Sequence, residues 1–189
     1  MVFSSLEFIY LFLPPVLLGY LLLRHWGWEN GIIWWLTIAS LVFYAWWTPV
    51  YLPLLLGSVV VNYGFHRVLR LARDRFILTA GIAFNLGLIA VFKYADFFIG
   101  NINLVAGADL PLLHLVLPLA ISFFTFQQIT YLVDTRRGLV PHHRFSEYCL
   151  FVTFFPQLIA GPIVHHREMM PQFADPGRFR FDWDNLALG

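Results

Sequence analysis

Charged residues are scarce in this sequence. Asp, Glu, Lys and Arg make up 12% of the 189 residues, whereas a soluble globular domain carries about 25%. Hydrophobic residues make up 59% and the mean hydropathy is +0.70. A soluble core cannot absorb this apolar excess, so the composition excludes an ordinary soluble domain and predicts a protein embedded in lipid.

Cysteine and net charge exclude further classes. The one cysteine, Cys149, cannot form an internal disulfide, and it provides no thiolate cluster for a metal. The net charge of +1 is too small to indicate binding of nucleic acid. We therefore predict no metal, no nucleic-acid partner and no resident cofactor, and the lipid bilayer as the surroundings.

A cleavable secretory signal is also missing. No basic residue precedes the first apolar run, residues 8–23, because Glu7 stands there instead. Pro14 and Pro15 interrupt the run, and no small-residue cleavage site follows it. We interpret the run as a retained first membrane span.

Five apolar stretches approach the length of about 20 residues that a spanning helix needs. They are residues 5–23, 32–48, 51–66, 76–92 and 112–133. Tryptophans lie near both ends of the second stretch, where indole rings favour the headgroup level. The sequence therefore predicts an all-α, polytopic transmembrane protein with about five spans.

Arginines predict the orientation, since cytoplasmic loops are enriched in Lys and Arg. Four arginines lie in residues 67–75, between the third and fourth stretches. This loop should be cytoplasmic, together with Arg24 and with the three arginines of residues 136–144. The N-terminus and a loop over residues 93–111 should then lie outside.

A sixth apolar stretch, residues 148–164, breaks the alternation because Arg167, Arg178 and Arg180 follow it. It also contains Pro156, Gly161 and Pro162, which leave backbone polar groups that lipid cannot satisfy. We predict a re-entrant segment that enters and leaves on the cytoplasmic side. Residues 181–185 look like the start of a further helix, so we expect one membrane-embedded domain, 1–189, cut within that helix.

Several segments, taken in order, resemble a known family. They are residues 1–8 (MVFSSLEF), 40–47 (SLVFYAWW), 92–94 (FKY), 117–138 (LPLAISFFTFQQITYLVDTRRG) and 155–163 (FPQLIAGPI). Together they resemble the membrane-bound O-acyltransferase family, in its bacterial branch for alginate O-acetylation and teichoic-acid D-alanylation. Ala120 stands where that branch commonly has Gly, and Thr135-Arg136 where Val-Tyr is usual.

The resemblance implies a polytopic enzyme of the bacterial inner membrane. Its members move an acyl group, here expected to be acetyl, from a cytoplasmic thioester (acyl-CoA or an acyl carrier) to a hydroxyl of an extracytoplasmic polysaccharide. An acyl-carrier protein or an extracytoplasmic acetyltransferase is an expected partner. The family's catalytic histidine lies in a Trp-His-Gly segment beyond residue 189. His25-Trp26-Gly27 has another order, so we expect no catalytic residue in this chain.

Polar side chains at membrane depth are the candidate site, because an unsatisfied one is costly in lipid. Two interpretations stay open for those of the fifth stretch: a hydrogen-bonded seam between helices, or the wall of a substrate tunnel. Asp134 has a third, an ion pair with Arg136 or Arg137. The tunnel or substrate-path candidates are Ser122, Thr125, Gln127, Asp134, Pro156, Gln157, Gly161 and Pro162.

The seven histidines are expected to have ordinary roles. Adjacent helical residues point about 100° apart, so His165 and His166 predict polar anchors at the membrane interface rather than a metal pair. The pair at 142–143 should be solvated or in contact with lipid headgroups, and His25 and His66 should lie at the interface. Two alternatives to the acyltransferase remain: a small transporter with a path along residues 151–164, although no internal repeat supports it, and an inactive truncated product.

Overall fold

The computed structural model describes residues 4–47, 49–160 and 166–174. Helices form nearly all of this part, and it contains no strand. They are α1 (Leu13–His25, after a π-helical turn Glu7–Phe12), α2 (Glu29–Trp47), α3 (Leu52–Ala72), α4 (Arg75–Ile89), α5 (Ala95–Ala106), α6 (Ile121–Arg136), α7 (Phe145–Thr153), α8 (Phe155–Ala160) and α9 (His166–Ala174). The all-α prediction is confirmed.

Three helical segments are long and apolar enough to cross a membrane: Glu7–His25, Pro49–Ala72 and Arg75–Ala106. In the most apolar 18 residues of each segment, only 17%, 33% and 17% of the residues, respectively, are buried inside the protein. The remaining apolar side chains face outward, where lipid is their natural solvent. Helix α2 has 19 residues, about 28 Å at 1.5 Å per residue, and its four tryptophans lower its mean hydropathy.

The predicted loop over residues 93–111 is wrong for residues 93–106, which are helical. Helix α4 continues through a π-helical turn, Ala90–Tyr94, into α5. The resulting rod has 32 residues, about 48 Å, which exceeds a hydrocarbon core of about 30 Å. Lys93 and Asp96 therefore lie within a continuous helix and not where it ends. It ends at Gly107, whose φ of +63° provides the left-handed cap.

The fifth predicted span, residues 112–133, is wrong in its first nine residues, because α6 begins only at Ile121. Residues 107–118 are not helical, and side chains of α5 take up their backbone groups. Asp96 accepts hydrogen bonds from the N–H of Leu113 at 2.7 Å and of His114 at 3.0 Å. Asn103 exchanges two bonds of 2.9 Å with the backbone of Leu110. These contacts compete with helix formation, so hydropathy alone misplaces the start of α6.

Arginine-bearing loops meet at one end of the helix bundle. Arg136 Nε donates to the Arg73 carbonyl at 3.4 Å, and Arg144 Nη1 donates to Asn30 Oδ1 at 2.7 Å. The turns before α2, α4 and α7 therefore lie together; we call this the arginine end. The shared end is what the predicted orientation requires, since all three loops were expected on the same side of the membrane.

The sixth apolar stretch is a broken helix. Helix α7 has nine residues, about 13 Å, and stops before Phe154. The N–H of Phe155 lies 3.3 Å from Ser40 Oγ, in the middle of α2. The Phe155 ring packs 5.2 Å from Phe43 and 5.4 Å from Phe12. The break therefore lies at the middle depth of the bundle, and α7 is too short to cross it.

After the break the chain returns towards the arginine end. His166, the first residue of α9, has its Nε2 3.8 Å from Asp134 Oδ2, in the last turn of α6. The described residues on either side of the gap therefore both lie at the arginine end: Arg144 precedes α7, and His166 begins α9 beside the end of α6. This shared end is what the re-entrant interpretation requires. The predicted turning point, Gly161 and Pro162, lies outside the described residues, as does Arg178.

We expect the arginine end to face the cytoplasm, because translocation of its arginines is unfavourable. In a Cys149→Ala background, single cysteines replace Ala72 at the arginine end and Leu104 on α5, both exposed. A membrane-impermeant maleimide should label Leu104→Cys in intact cells and Ala72→Cys only after permeabilisation. The reverse pattern would contradict the orientation.

Candidate functional site

Helix α6 carries the predicted polar stripe, and its members differ in what they contact. Thr125 is fully buried, and its hydroxyl lies 2.6 Å from the carbonyl of Ile121 and 3.1 Å from that of Ser122. The hydrogen bonds of this hydroxyl are therefore made within α6, and it forms none to another helix among the described residues. Ser122 is half-buried at the start of α6.

Gln128 forms hydrogen bonds to two neighbouring helices, as the seam interpretation predicts. Its Nε2 donates to Ser58 Oγ at 2.8 Å, and its Oε1 accepts from Tyr148 Oη at 3.1 Å. All three side chains are buried, so one amide links α3, α6 and α7. Both halves of the amide are satisfied, which is the arrangement that a stable buried polar group needs.

A second pair extends this seam to α4. Asn62 and Asn85 exchange amide hydrogen bonds of 3.2 Å and 2.6 Å across α3 and α4, and both are fully buried. Sequence reasoning missed this pair. The available signal was two asparagines inside apolar stretches, with Ser58 one helical turn before Asn62.

Gln127 contacts α7 and is only half satisfied. Its Nε2 donates to the Phe151 carbonyl at 3.1 Å, while its buried Oε1 has no hydrogen-bond partner among the described residues. Tyr131 lies one turn further on the same face, and its buried Oη also has no partner in this part of the chain. Buried polar atoms without a protein partner are rare and cost about 1–3 kcal/mol each. Each of these two oxygens is available for a hydrogen bond with a ligand or water.

Asp134 extends this face by one more turn. It is buried, and it lies 3.7 Å from Arg137 Nη1, 3.4 Å from Arg167 Nη2 and 3.8 Å from His166 Nε2. The predicted ion pair with Arg137 is confirmed, whereas Arg136 contacts a carbonyl of the neighbouring loop instead. Asp134 therefore ties the start of α9 to the end of α6.

The predicted interfacial role of His166 is wrong, because this residue is 2% exposed. Its ring packs edge-on against Tyr131 at 5.3 Å and near Phe151 at 6.4 Å. We call Gln127, Tyr131, Asp134 and His166 the α6 site. Their side chains share one buried region between α6, α7 and α9.

The remaining sequence candidates lie on the broken segment. Pro156 is the second residue of α8, where a helix does not need its N–H. Gln157 is 7% exposed, and its backbone N–H donates to the Phe154 carbonyl at 3.1 Å. Gly161, Pro162 and His165 lie outside the described residues.

A cavity of about 510 Å³ opens at the arginine end. Its lining is mostly cationic or imidazole-bearing: Tyr63, His66, Arg67, Arg70, Leu71, His142 and His143. His66 was expected at the interface, but it is 2% exposed. Its Nδ1 lies 2.9 Å from Thr135 Oγ1, and its ring packs 5.0 Å from that of Tyr131. His66 thus joins the wall of this basic cavity to the α6 site.

The two loop histidines of the basic cavity differ from one another. His142 is exposed, as predicted, but His143 is buried, with its Nδ1 3.3 Å from Glu147 Oε2. Burial lowers the pKa of His143, and the hydrogen bond and charge of Glu147 oppose that shift. Glu147 also accepts the N–H of Arg144 at 3.0 Å and so caps α7.

Comparisons with known proteins now decide the relationship. The chain is 44% identical over its whole length to the peptidoglycan O-acetyltransferase of Helicobacter pylori. Over 92% of its length it is 38% and 37% identical to probable alginate O-acetylases of Pseudomonas aeruginosa and Pseudomonas syringae. The chain is a homologue of bacterial O-acetyltransferases of the membrane-bound O-acyltransferase type.

The match covers part of each relative. The chain spans 42% of the Helicobacter protein and 34% and 35% of the two Pseudomonas proteins. No family model and no solved structure matches it. The resemblance seen in the sequence is confirmed, and so is the membrane location. Among the described residues, no group of three His, Cys, Asp or Glu side chains could hold a metal ion.

Adjacent glutamines provide a matched test of seam against site. Gln128→Leu leaves the hydroxyls of Ser58 and Tyr148 without their partner, so the free energy of unfolding should fall by about 0.6 kcal/mol for each lost bond. Activity should fall only as far as less of the protein is folded. Gln127→Leu loses one bond and removes an unsatisfied oxygen, so stability should change little while acyl transfer by the full-length protein drops. Unfolding in detergent and turnover in membranes measure the two effects. Normal turnover in Gln127→Leu would remove that residue from the site.

Proposed function

We propose that this chain forms part of a membrane O-acyltransferase of the bacterial inner membrane. The enzyme transfers an acyl group, acetyl in the first instance, from a cytoplasmic thioester to a hydroxyl of an extracytoplasmic polysaccharide. One observation carries this proposal. In a homologue of O-acetyltransferases, Gln127 Oε1 and Tyr131 Oη are buried one turn apart on α6, and neither has a hydrogen-bond partner among the described residues.

The direction of transfer follows from the two ends of the bundle. The basic cavity opens at the arginine end, which the arginine distribution assigns to the cytoplasm. From there the ring of His66 leads to Tyr131, and Gln127 lies one turn further along α6. In the proposal the thioester comes from the arginine end, and the acceptor polymer approaches from the opposite end, on the same side as α5.

The reaction is nucleophilic substitution at the thioester carbonyl. The acceptor oxygen attacks the carbonyl carbon, a general base takes the hydroxyl proton, and the thiolate of the donor leaves. The resemblance places that base, a histidine, beyond residue 189. The residues of this chain position the substrates: the Tyr131 hydroxyl donates to an oxygen of the acyl group or the acceptor, and Gln127 Oε1 accepts from a hydroxyl or amide. Asp134 holds α9 in place through Arg167 and His166.

The proposed acceptor of the acyl group follows from the polymers that the relatives are named for. The relatives are named for peptidoglycan and alginate, two polymers that both offer sugar hydroxyls, so a cell-surface glycan is the proposed substrate class. An acyl-carrier protein as donor, or an extracytoplasmic acetyltransferase that takes over the acyl group, is a proposed partner.

Tyr131→Phe tests the proposal because it removes only the unpartnered hydroxyl and keeps a ring that packs against Tyr148 and His66. Transfer of radiolabelled acetyl from a thioester to glycan by the full-length protein should fall by up to about tenfold, as expected for one lost hydrogen bond between neutral groups, worth about 0.5–1.5 kcal/mol. Stability should stay unchanged or rise.

Tyr148→Phe is the matched control. Its hydroxyl donates to Gln128, so its loss should lower the free energy of unfolding and affect turnover only to that extent. Equal turnover of Tyr131→Phe and the unchanged protein would contradict the proposed site.

A further inference from the structure

Two arginines of the basic cavity have no partner among the described residues. Arg67 and Arg70 lie three residues apart near the end of α3, so their side chains extend from the same face of the helix. Both are exposed, and neither makes a hydrogen bond or ion pair with a described residue. Like charges at this spacing repel each other, so the pair gains stability from a shared anion.

The acid that contacts the cavity residue His143 is already engaged. Glu147 lies against His143 and caps α7 through the N–H of Arg144, and it does not line the cavity. Opposite the arginines, His142 and His143 supply two imidazoles and His66 a third. Among the described residues, the lining therefore offers donors and positive charge from two separate parts of the chain, α3 and the loop before α7, and no carboxylate.

A simpler explanation covers the arginines alone. Cations are favoured at the C-terminal turn of a helix and on the cytoplasmic side of a membrane. Neither effect explains why two loop histidines close over the same arginines, or why the space between them amounts to about 510 Å³. This volume lies within the range of about 300–1,000 Å³ that is typical of small-molecule sites.

We propose that the basic cavity binds a phosphate ester or diphosphate. The planar guanidinium groups of Arg67 and Arg70 match pairs of phosphate oxygens and form charge-assisted hydrogen bonds, and His142 and His143 contact the anion from the loop side. The phosphate belongs either to a water-soluble ligand or to a lipid headgroup. The inference stands on the cavity alone; identifying the ligand with the thioester donor would in addition rest on the proposed function.

The test uses the full-length protein in phosphatidylcholine nanodiscs, with inorganic pyrophosphate as the probe and calorimetry as the readout. Pyrophosphate should bind saturably, and Arg67→Gln and Arg70→Gln should each weaken the dissociation constant at least about tenfold, the factor that corresponds to one charge-assisted hydrogen bond. Arg75→Gln is the matched control, because Arg75 is exposed at the same end but does not line the cavity. Its affinity should stay within about twofold.

Absence of saturable binding, or an equal loss in Arg75→Gln, would overturn the proposal. Helical circular dichroism and gel filtration show that each variant is folded, and the altered side chains are on the surface. Nanodiscs that also contain phosphatidic acid distinguish the two sources. If this lipid competes with pyrophosphate in the unchanged protein, the site takes lipid phosphate; if it does not, the site takes a soluble one. Because no acyl donor is present, failure of acyl transfer does not affect the result.

Discussion

Hydrogen bonds between buried polar side chains are the constraint that positions the rest of this structure. Lipid offers no partners, so a polar group inside the bundle must find them in the protein. Gln128 does so through Ser58 and Tyr148, and Asn62 and Asn85 do so through each other. These bonds determine which face of α6 meets α3. The next residue around the helix, about 100° away, is Gln127, which is thereby turned towards α7.

The broken segment gives that second face its surroundings. A continuous helix after Phe145 would cross the bundle, whereas α7 stops at middle depth and the chain returns as α9 beside Asp134. His166 is thereby packed against Tyr131. One face of α6 is a satisfied seam that fixes the bundle, and the adjoining face has two buried polar atoms without a hydrogen-bond partner among the described residues. The basic cavity reaches this second face through the ring of His66.

Much of this fold follows from the sequence. Hydropathy predicts the lipid-embedded class and most of the helices, arginines predict the end at which the loops meet, and Pro156 predicts a broken segment. The errors have a common cause. Asp96 accepts hydrogen bonds from the backbone N–H groups of Leu113 and His114, which follow it in the chain by 17 and 18 residues. The start of α6 therefore depends on a contact that no local sequence pattern reveals.

The histidines show the same limit. His66, His143 and His166 stand beside arginines in the sequence, which suggests an interface, yet all three are buried by residues from distant helices. The candidate site was predicted only in part for the same reason. Gln127 and Asp134 could be named from polarity at membrane depth and from the family resemblance. Tyr131 could not, because a tyrosine in an apolar helix is ordinary and only the packed structure shows that its hydroxyl lacks a partner.

We propose that two neighbouring residues of α6 face different surroundings. Gln127 faces a substrate path, and Gln128 lies in a closed seam between helices. Modification of single cysteines measures this most directly. Gln127→Cys and Gln128→Cys are made in a Cys149→Ser background of the full-length protein and exposed to a small, water-soluble methanethiosulfonate reagent. We expect the cysteine at 127 to react, and we expect the thioester donor to slow this reaction. The cysteine at 128 should stay unmodified in the folded protein. Equal protection of both positions, or faster modification at 128, would contradict it.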